Sequence, residues 1–138
     1  MSYDLTVFAV EAAPKDRAAF LEWYEGHAQW AEGHFYDDPD VSTPALKAWF
    51  LEMIQSYPAM NGPFSSEEFP EDDATVTDYS VGREVIYAAF AWSKAEVAYD
   101  AVVAVAAKHG VGFFNASSDG AEVWLPDGKG GLQLAHSG

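Results

Sequence analysis

Two stretches of this chain, Tyr3–Val10 and Glu84–Trp92, are apolar on both of their alternating faces, and this narrows the folds open to it. In the first, Leu5, Val7 and Ala9 point one way, and Thr6, Phe8 and Val10 the other. In the second, Val85, Tyr87, Ala89 and Ala91 oppose Ile86, Ala88, Phe90 and Trp92. A strand with one wet face alternates apolar with polar residues. Strands of this kind must instead lie inside a sheet that is covered on both sides. The alanines of the second strand let a helix approach closely. At 138 residues, 49% hydrophobic and 15% aromatic, the chain suits one domain with ample core.

Helical spacing supplies the cover. Phe20, Trp23, Tyr24, His27, Trp30, Ala31 and His34 recur at intervals of three and four, predicting a helix over about Lys15–Trp30. Ser42 or Thr43 caps a second helix, with Pro44 in its first turn. Its buried face is Leu46, Trp49, Phe50, Met53, Ile54 and Tyr57, and Pro58 stops it. Ser93-Lys94-Ala95-Glu96 has the form of a capping box that opens a third helix. That helix turns Ala95, Ala98, Ala101, Val102, Val105 and Ala106 inward and ends at Gly110. Asp78–Gly82, Val111–Ala116 and Glu122–Leu125 read as further strands.

The resulting order, β-α-α-β-β-α-β-β, predicts an α+β fold. Its expected form is a ferredoxin-like βαββαβ core with an inserted second helix and an extra C-terminal strand. Residues 1–126 form the expected domain and residues 127–138 a flexible Gly-rich tail. Ala59–Asp78 is a long connection of the kind that is usually functional or mobile.

The charge is lopsided. Of a net −15, the stretch Ala18–Gly82 holds thirteen Asp/Glu against one base, Lys47. This fits a basic protein partner, a cation or a highly soluble surface, and it biases which molecules approach. Nucleic acid is excluded as a direct partner, because phosphate binding needs a basic face and the seven bases are scattered. The absence of cysteine removes disulfides and thiolate chemistry and suits a cytoplasmic protein. The N-terminus has no basic region before an apolar run, so no signal peptide is expected, and no apolar run is long enough to span a membrane.

No high-specificity catalytic motif is present. Phosphate loops, Gly-x-Gly-x-x-Gly and Gly-x-Ser-x-Gly are all lacking. His27 and His34, with Glu25 and Glu32, repeat at a spacing of seven. Metal pairs on a helix are better served by three or four, so the histidines read as half-buried, and neither a metal nor a cofactor is expected. Asp37-Asp38-Pro39-Asp40 lacks the ligand spacing of a calcium loop. The run Glu67, Glu68, Glu71, Asp72 and Asp73 reads as solvated. A candidate ligand cleft, between the first two helices and the sheet, collects Trp23, His27, Trp49, Asn61 and Tyr79, with His27 as its acid–base group. Tyr79, Phe113 and Tyr87 are candidates for a pocket floor beneath the first helix. His109 falls in the last turn of its helix, where the helix dipole favours imidazolium.

The strings MSYDLTVF, DYSVGREVIYAAFAWS and AEVAYDAVVAVAAKHGVGFFNAS, with DDPDVSTPALKAWFLEMIQSYPAMNGP between them, resemble a family of small acidic bacterial proteins of uncharacterised function. The resemblance implies a bacterial origin and a shared fold, and it carries no residue roles.

The leading expectation is a non-enzymatic, immunity- or antitoxin-like protein that presents acidic residues to a basic protein. The residues are Glu25, Glu32, Asp37, Asp38, Asp40, Glu67, Glu68, Glu71, Asp72 and Asp73. The alternative is a small-molecule binder or enzyme using the aromatic and histidine cleft. A third reading is a homodimer formed through a sheet face that three helices leave uncovered.

Overall fold

The computed structural model describes residues 2–14, 16–27, 39–57, 59, 77–115, 122–127, 129 and 131–136. Strand β1 (Ser2–Phe8) lies inside the sheet, as its two apolar faces require. It runs between β3 (Val85–Ala91) and β4 (Gly112–Phe114). β2 (Asp78–Val81) joins β3 through a tight turn in which the Gly82 N–H donates to the Val85 carbonyl at 2.8 Å. β5 (Val123–Pro126) and β6 (Leu132–His136) extend the other side. The six-stranded order is β2-β3-β1-β4-β5-β6, with every neighbour antiparallel. With three α-helices among the described residues, this is a mixed α+β fold.

β6 corrects the reading of residues 127–138 as a loose tail, and it makes two strands after β4 where one was expected. The reason is local. The Asp127 carboxylate accepts from the N–H groups of Lys129 at 2.7 Å and Gly131 at 3.1 Å, and the Asp127 N–H donates to the Gly131 carbonyl at 3.0 Å. The Asp127 side chain closes the connection between β5 and β6 as an Asx turn.

Helix α1 (Arg17–His27) begins where Asp16 caps it, its carboxylate accepting from the Ala19 N–H at 3.1 Å. Helix α2 (Pro44–Met53) has Thr43 as its cap, accepting from the Leu46 N–H at 3.4 Å, and Pro44 at its start. It ends at Met53, before Pro58 is reached, and the chain turns through Ile54–Ser56. Helix α3 (Ala95–His109) stops at Gly110, whose φ of +70° is left-handed and favours glycine. The expected capping box does not form. Trp92–Lys94 make a 3-10 turn, and the Ala95 N–H donates to the Trp92 carbonyl, so Ser93 caps nothing.

The helices divide between the two sheet faces. Leu46, Trp49, Phe50 and Met53 of α2 and Ala98, Val102 and Ala106 of α3 bury Leu5, Val7, Ile86, Ala88, Phe90 and Phe113. Burying each large apolar side chain is worth about 1.5–3 kcal/mol. The Trp49 indole N–H donates to the Val102 carbonyl at 3.4 Å, tying the two helices together. On the opposite face, Phe20 of α1 packs on Phe8 and Phe114, with ring centroids 5.1 and 5.4 Å apart. The helix beside α3 is therefore α2, and the one standing apart is α1. This reverses the expectation that the second helix is the insertion. Over Leu5–Phe8 the division also buries both faces of β1, and so removes there the uncovered face from which a homodimer was expected. Among the described residues no helix is long and apolar enough to cross a membrane.

Candidate functional site

The sheet separates residues that the expected cleft required to meet. Trp49 and Tyr79 do touch, with rings 6.2 Å apart, but both are buried in the core beneath α2 and α3. Tyr79 donates its hydroxyl to the Tyr57 carbonyl at 2.8 Å, and burial pushes its phenol well above the usual range. Trp23 lies on the other face, half-buried against Phe8 at 6.1 Å and Phe20 at 5.6 Å. His27 is the last residue of α1, and Asn61 lies outside the described residues. Of the expected cleft of Trp23, His27, Trp49, Asn61 and Tyr79, Trp23 is thus parted from Trp49 and Tyr79, because α1 and α2 cover opposite faces. The proposed floor fails for the same reason. Phe113 and Tyr79 face α2 and α3, while Tyr87 faces the α1 side.

On the α1 side a polar cluster takes the place of that cleft. Successive cross-strand rows set Thr6, Tyr87 and Ser80 side by side, and Asp4, Ala89 and Asp78 beside them. The Thr6 hydroxyl, fully buried, shares a hydrogen bond with the Tyr24 hydroxyl at 3.3 Å. Burial raises the Tyr87 phenol, and its hydrogen bond to the Asp4 carboxylate and the charges of Asp4, Tyr24 and Asp78 raise it further. Burial also raises Tyr24, against a lowering from the Thr6 bond. Both phenols are held neutral, and that of Tyr87 donates to the Asp4 carboxylate. Such a cluster can grip a polar group. It holds no base paired to a nucleophile.

A concavity lies at the start of α3, on the other face. Tyr3, Ala95, Glu96, Tyr99 and Asp100 line an open recess of about 360 Å³. The Tyr3 ring stacks at 5.1 Å on Trp92, which is 48% exposed. Strand alternation hinted at neither site. The clue available in the sequence was Asp4, a charge early in an otherwise apolar strand.

The acidic residues are placed only in part. Glu22 and Glu25 are exposed on α1. Asp40, also exposed, pairs with Lys47 at 2.5 Å on the α2 side. Asp78 is exposed on the edge strand β2. The described acids of this stretch therefore span both helical layers. Glu32, Asp37, Asp38, Glu67, Glu68, Glu71, Asp72, Asp73 and His34 lie outside the described residues. His109 closes α3 and binds the Glu52 carboxylate at 3.0 Å, alongside Lys108 at 2.8 Å. Hydrogen bonds from Lys108 and His109 hold the Glu52 carboxyl below its usual range. These contacts tie α3 to α2, a structural role. Among the described residues no three His, Asp or Glu side chains are grouped to hold a metal.

No family model matches the chain, and neither a curated protein nor a solved structure matches it.

Proposed function

We propose that this chain is a non-enzymatic binding protein that offers an acidic surface to a basic protein partner, in the manner of an immunity or antitoxin-like factor. One observation carries the proposal. The stretch 18–82 has a single base, Lys47, and that base is engaged by Asp40, while Glu22, Glu25 and Asp78 remain exposed to solvent. An incoming cationic surface gains from such carboxylates in association rate, and loses that gain as salt rises. A cytoplasmic setting belongs to the same proposal, supported by the lack of cysteine. So does a ferredoxin-like core. The order β2-β3-β1-β4 and the α2/α3 pair on one face support it, with α1, β5 and β6 as additions.

The test is capture of partners from the native host at low and high salt, with Glu22→Gln/Glu25→Gln run in parallel. The expected result is a partner of high isoelectric point, held at low salt and weakened in the variant. Recovery of no basic protein at low salt overturns the proposal.

A second reading is a small-molecule site, and the Asp4–Tyr87 and Thr6–Tyr24 pairs favour it. A metabolite that raises the melting temperature of the wild type but not of Tyr87→Phe supports it. A broad library without any such compound removes it.

A further inference from the structure

We propose that the recess lined by Tyr3, Tyr99, Glu96 and Asp100, with Trp92 against Tyr3 beside it, receives a lysine or arginine side chain of a basic peptide. This rests on the reading of the protein as a binder of basic partners. It assigns the contact to a part of the chain outside the acidic stretch 18–82.

Three features converge there. The first is the wall. Tyr3 and Tyr99 line the recess, and Trp92, 48% exposed, meets the Tyr3 ring at 53° beside it, so aromatic surface is available to a cation. Tyr99 is held in place by its edge contact with Phe113, at 5.5 Å and 80°. The second is charge. Glu96 and Asp100, four residues apart on α3, are exposed at the rim. Glu122 acts electrostatically on both Tyr3 and Tyr99. Burial raises both phenols, and these negative neighbours raise them further, which reports the sign of the field. The third is room. About 360 Å³ accepts an alkylammonium or guanidinium head with its stem.

The start of α3 carries a partial positive charge of about half a unit. Glu96, in the first turn, already answers it, and Asp100 and Glu122 add to the negative side. Lys94 acts electrostatically on Tyr57, on the α2 side. An anion is thereby disfavoured, and a cation with an apolar stem matches both the rings and the charge.

The experiment is fluorescence anisotropy of a labelled hexalysine peptide against four proteins: wild type, Trp92→Leu, Glu96→Gln/Asp100→Asn and Glu22→Gln/Glu25→Gln. The last removes the same charge elsewhere. Melting curves check that each variant is folded, and the rim variant alters exposed side chains only. The expected result is that Trp92→Leu and Glu96→Gln/Asp100→Asn each weaken binding about fivefold or more, and Glu22→Gln/Glu25→Gln much less. Equal losses in the two charge-matched variants overturn the recess while leaving the acidic-surface reading intact. Wild-type protein that fails to bind the peptide overturns the recess, and the host capture still decides the broader reading. Spermidine competing at the concentration at which hexalysine saturates overturns the peptide as occupant.

Discussion

Gly112→Ala should destabilise the protein through a single ring. Gly112 lies opposite Phe8 in the β1–β4 register. A Cβ added there would stand 2.2, 2.3 and 2.8 Å from three atoms of the Phe8 ring. Carbon atoms pack at about 3.5–4 Å, so the ring would have to retreat by more than about 1 Å. It has little space to do so. Phe8 is fully buried, with Phe20 and Trp23 at 5.1 and 6.1 Å. Overpacking of this kind costs about 1–3 kcal/mol. Alanine recovers about 0.5–1 kcal/mol of the backbone cost of glycine in a strand. The expected net loss is about 0.5–2 kcal/mol, or a melting temperature lower by several degrees. Urea unfolding followed by tryptophan fluorescence measures it. Phe8→Leu shortens the obstructing side chain, so Gly112→Ala should cost less in that background, with a coupling of at least about 0.5 kcal/mol. A Gly112→Ala protein as stable as wild type, or a strictly additive double variant, refutes the close approach.

Other expectations rest on single contacts. Tyr79→Phe removes the buried hydroxyl that donates to the Tyr57 carbonyl at 2.8 Å and should cost about 1–2 kcal/mol in urea unfolding. The same phenol is raised above its ordinary value of 10.0 by burial, so the stability it supplies is whole below pH 10.0 and drains as the pH climbs beyond it. Tyr79→Phe should therefore make the alkaline fall in melting temperature shallower, and an unchanged alkaline limb counts against this. Glu52 is lowered from 4.5 by its bonds to Lys108 and His109, so its contribution is present above pH 4.5 and is lost as the pH falls below that value. The difference in melting temperature between wild type and Glu52→Gln should shrink on acidification, and a constant difference would show the contacts to be idle. Asp16→Ala removes the cap of α1 and should cost about 0.5–2 kcal/mol, read as a lower urea midpoint.

Local patterns carried most of the fold. The two doubly apolar stretches became the adjacent interior strands β1 and β3, because only burial on both faces satisfies such residues. Thr43, Pro44 and the row Leu46, Trp49, Phe50, Met53 gave α2 its start and its buried side, and Gly110 gave α3 its end. The capping box misled, since Ser93 was drawn into a 3-10 turn beside the Tyr3–Trp92 contact, between residues far apart in sequence. β6 was missed because glycine-rich composition looks the same in a loose tail and in a hairpin turn. What separated the two was Asp127 closing on Gly131.

Which residues could share a site turned on something no local pattern encodes, namely the side of the sheet each helix takes. A helical stripe says that Trp23 and Tyr24 face inward, and another says the same of Trp49. Neither says that the sheet lies between them. Once α1 goes to one face and α2 to the other, the strands decide the chemistry through register. Thr6 opposite Tyr87, with Asp4 two residues away, puts a phenol beside a carboxylate on the α1 face. A slip of one residue would send Asp4 and Thr6 into the α2/α3 core in place of Leu5 and Val7, where an unpaired carboxylate costs far more than the sheet gains. The apolar core therefore fixes the register, and the register assembles the polar cluster. That is why the cluster is invisible until the strands are paired, and why Tyr87→Phe probes it with the apolar pattern that sets the pairing left in place.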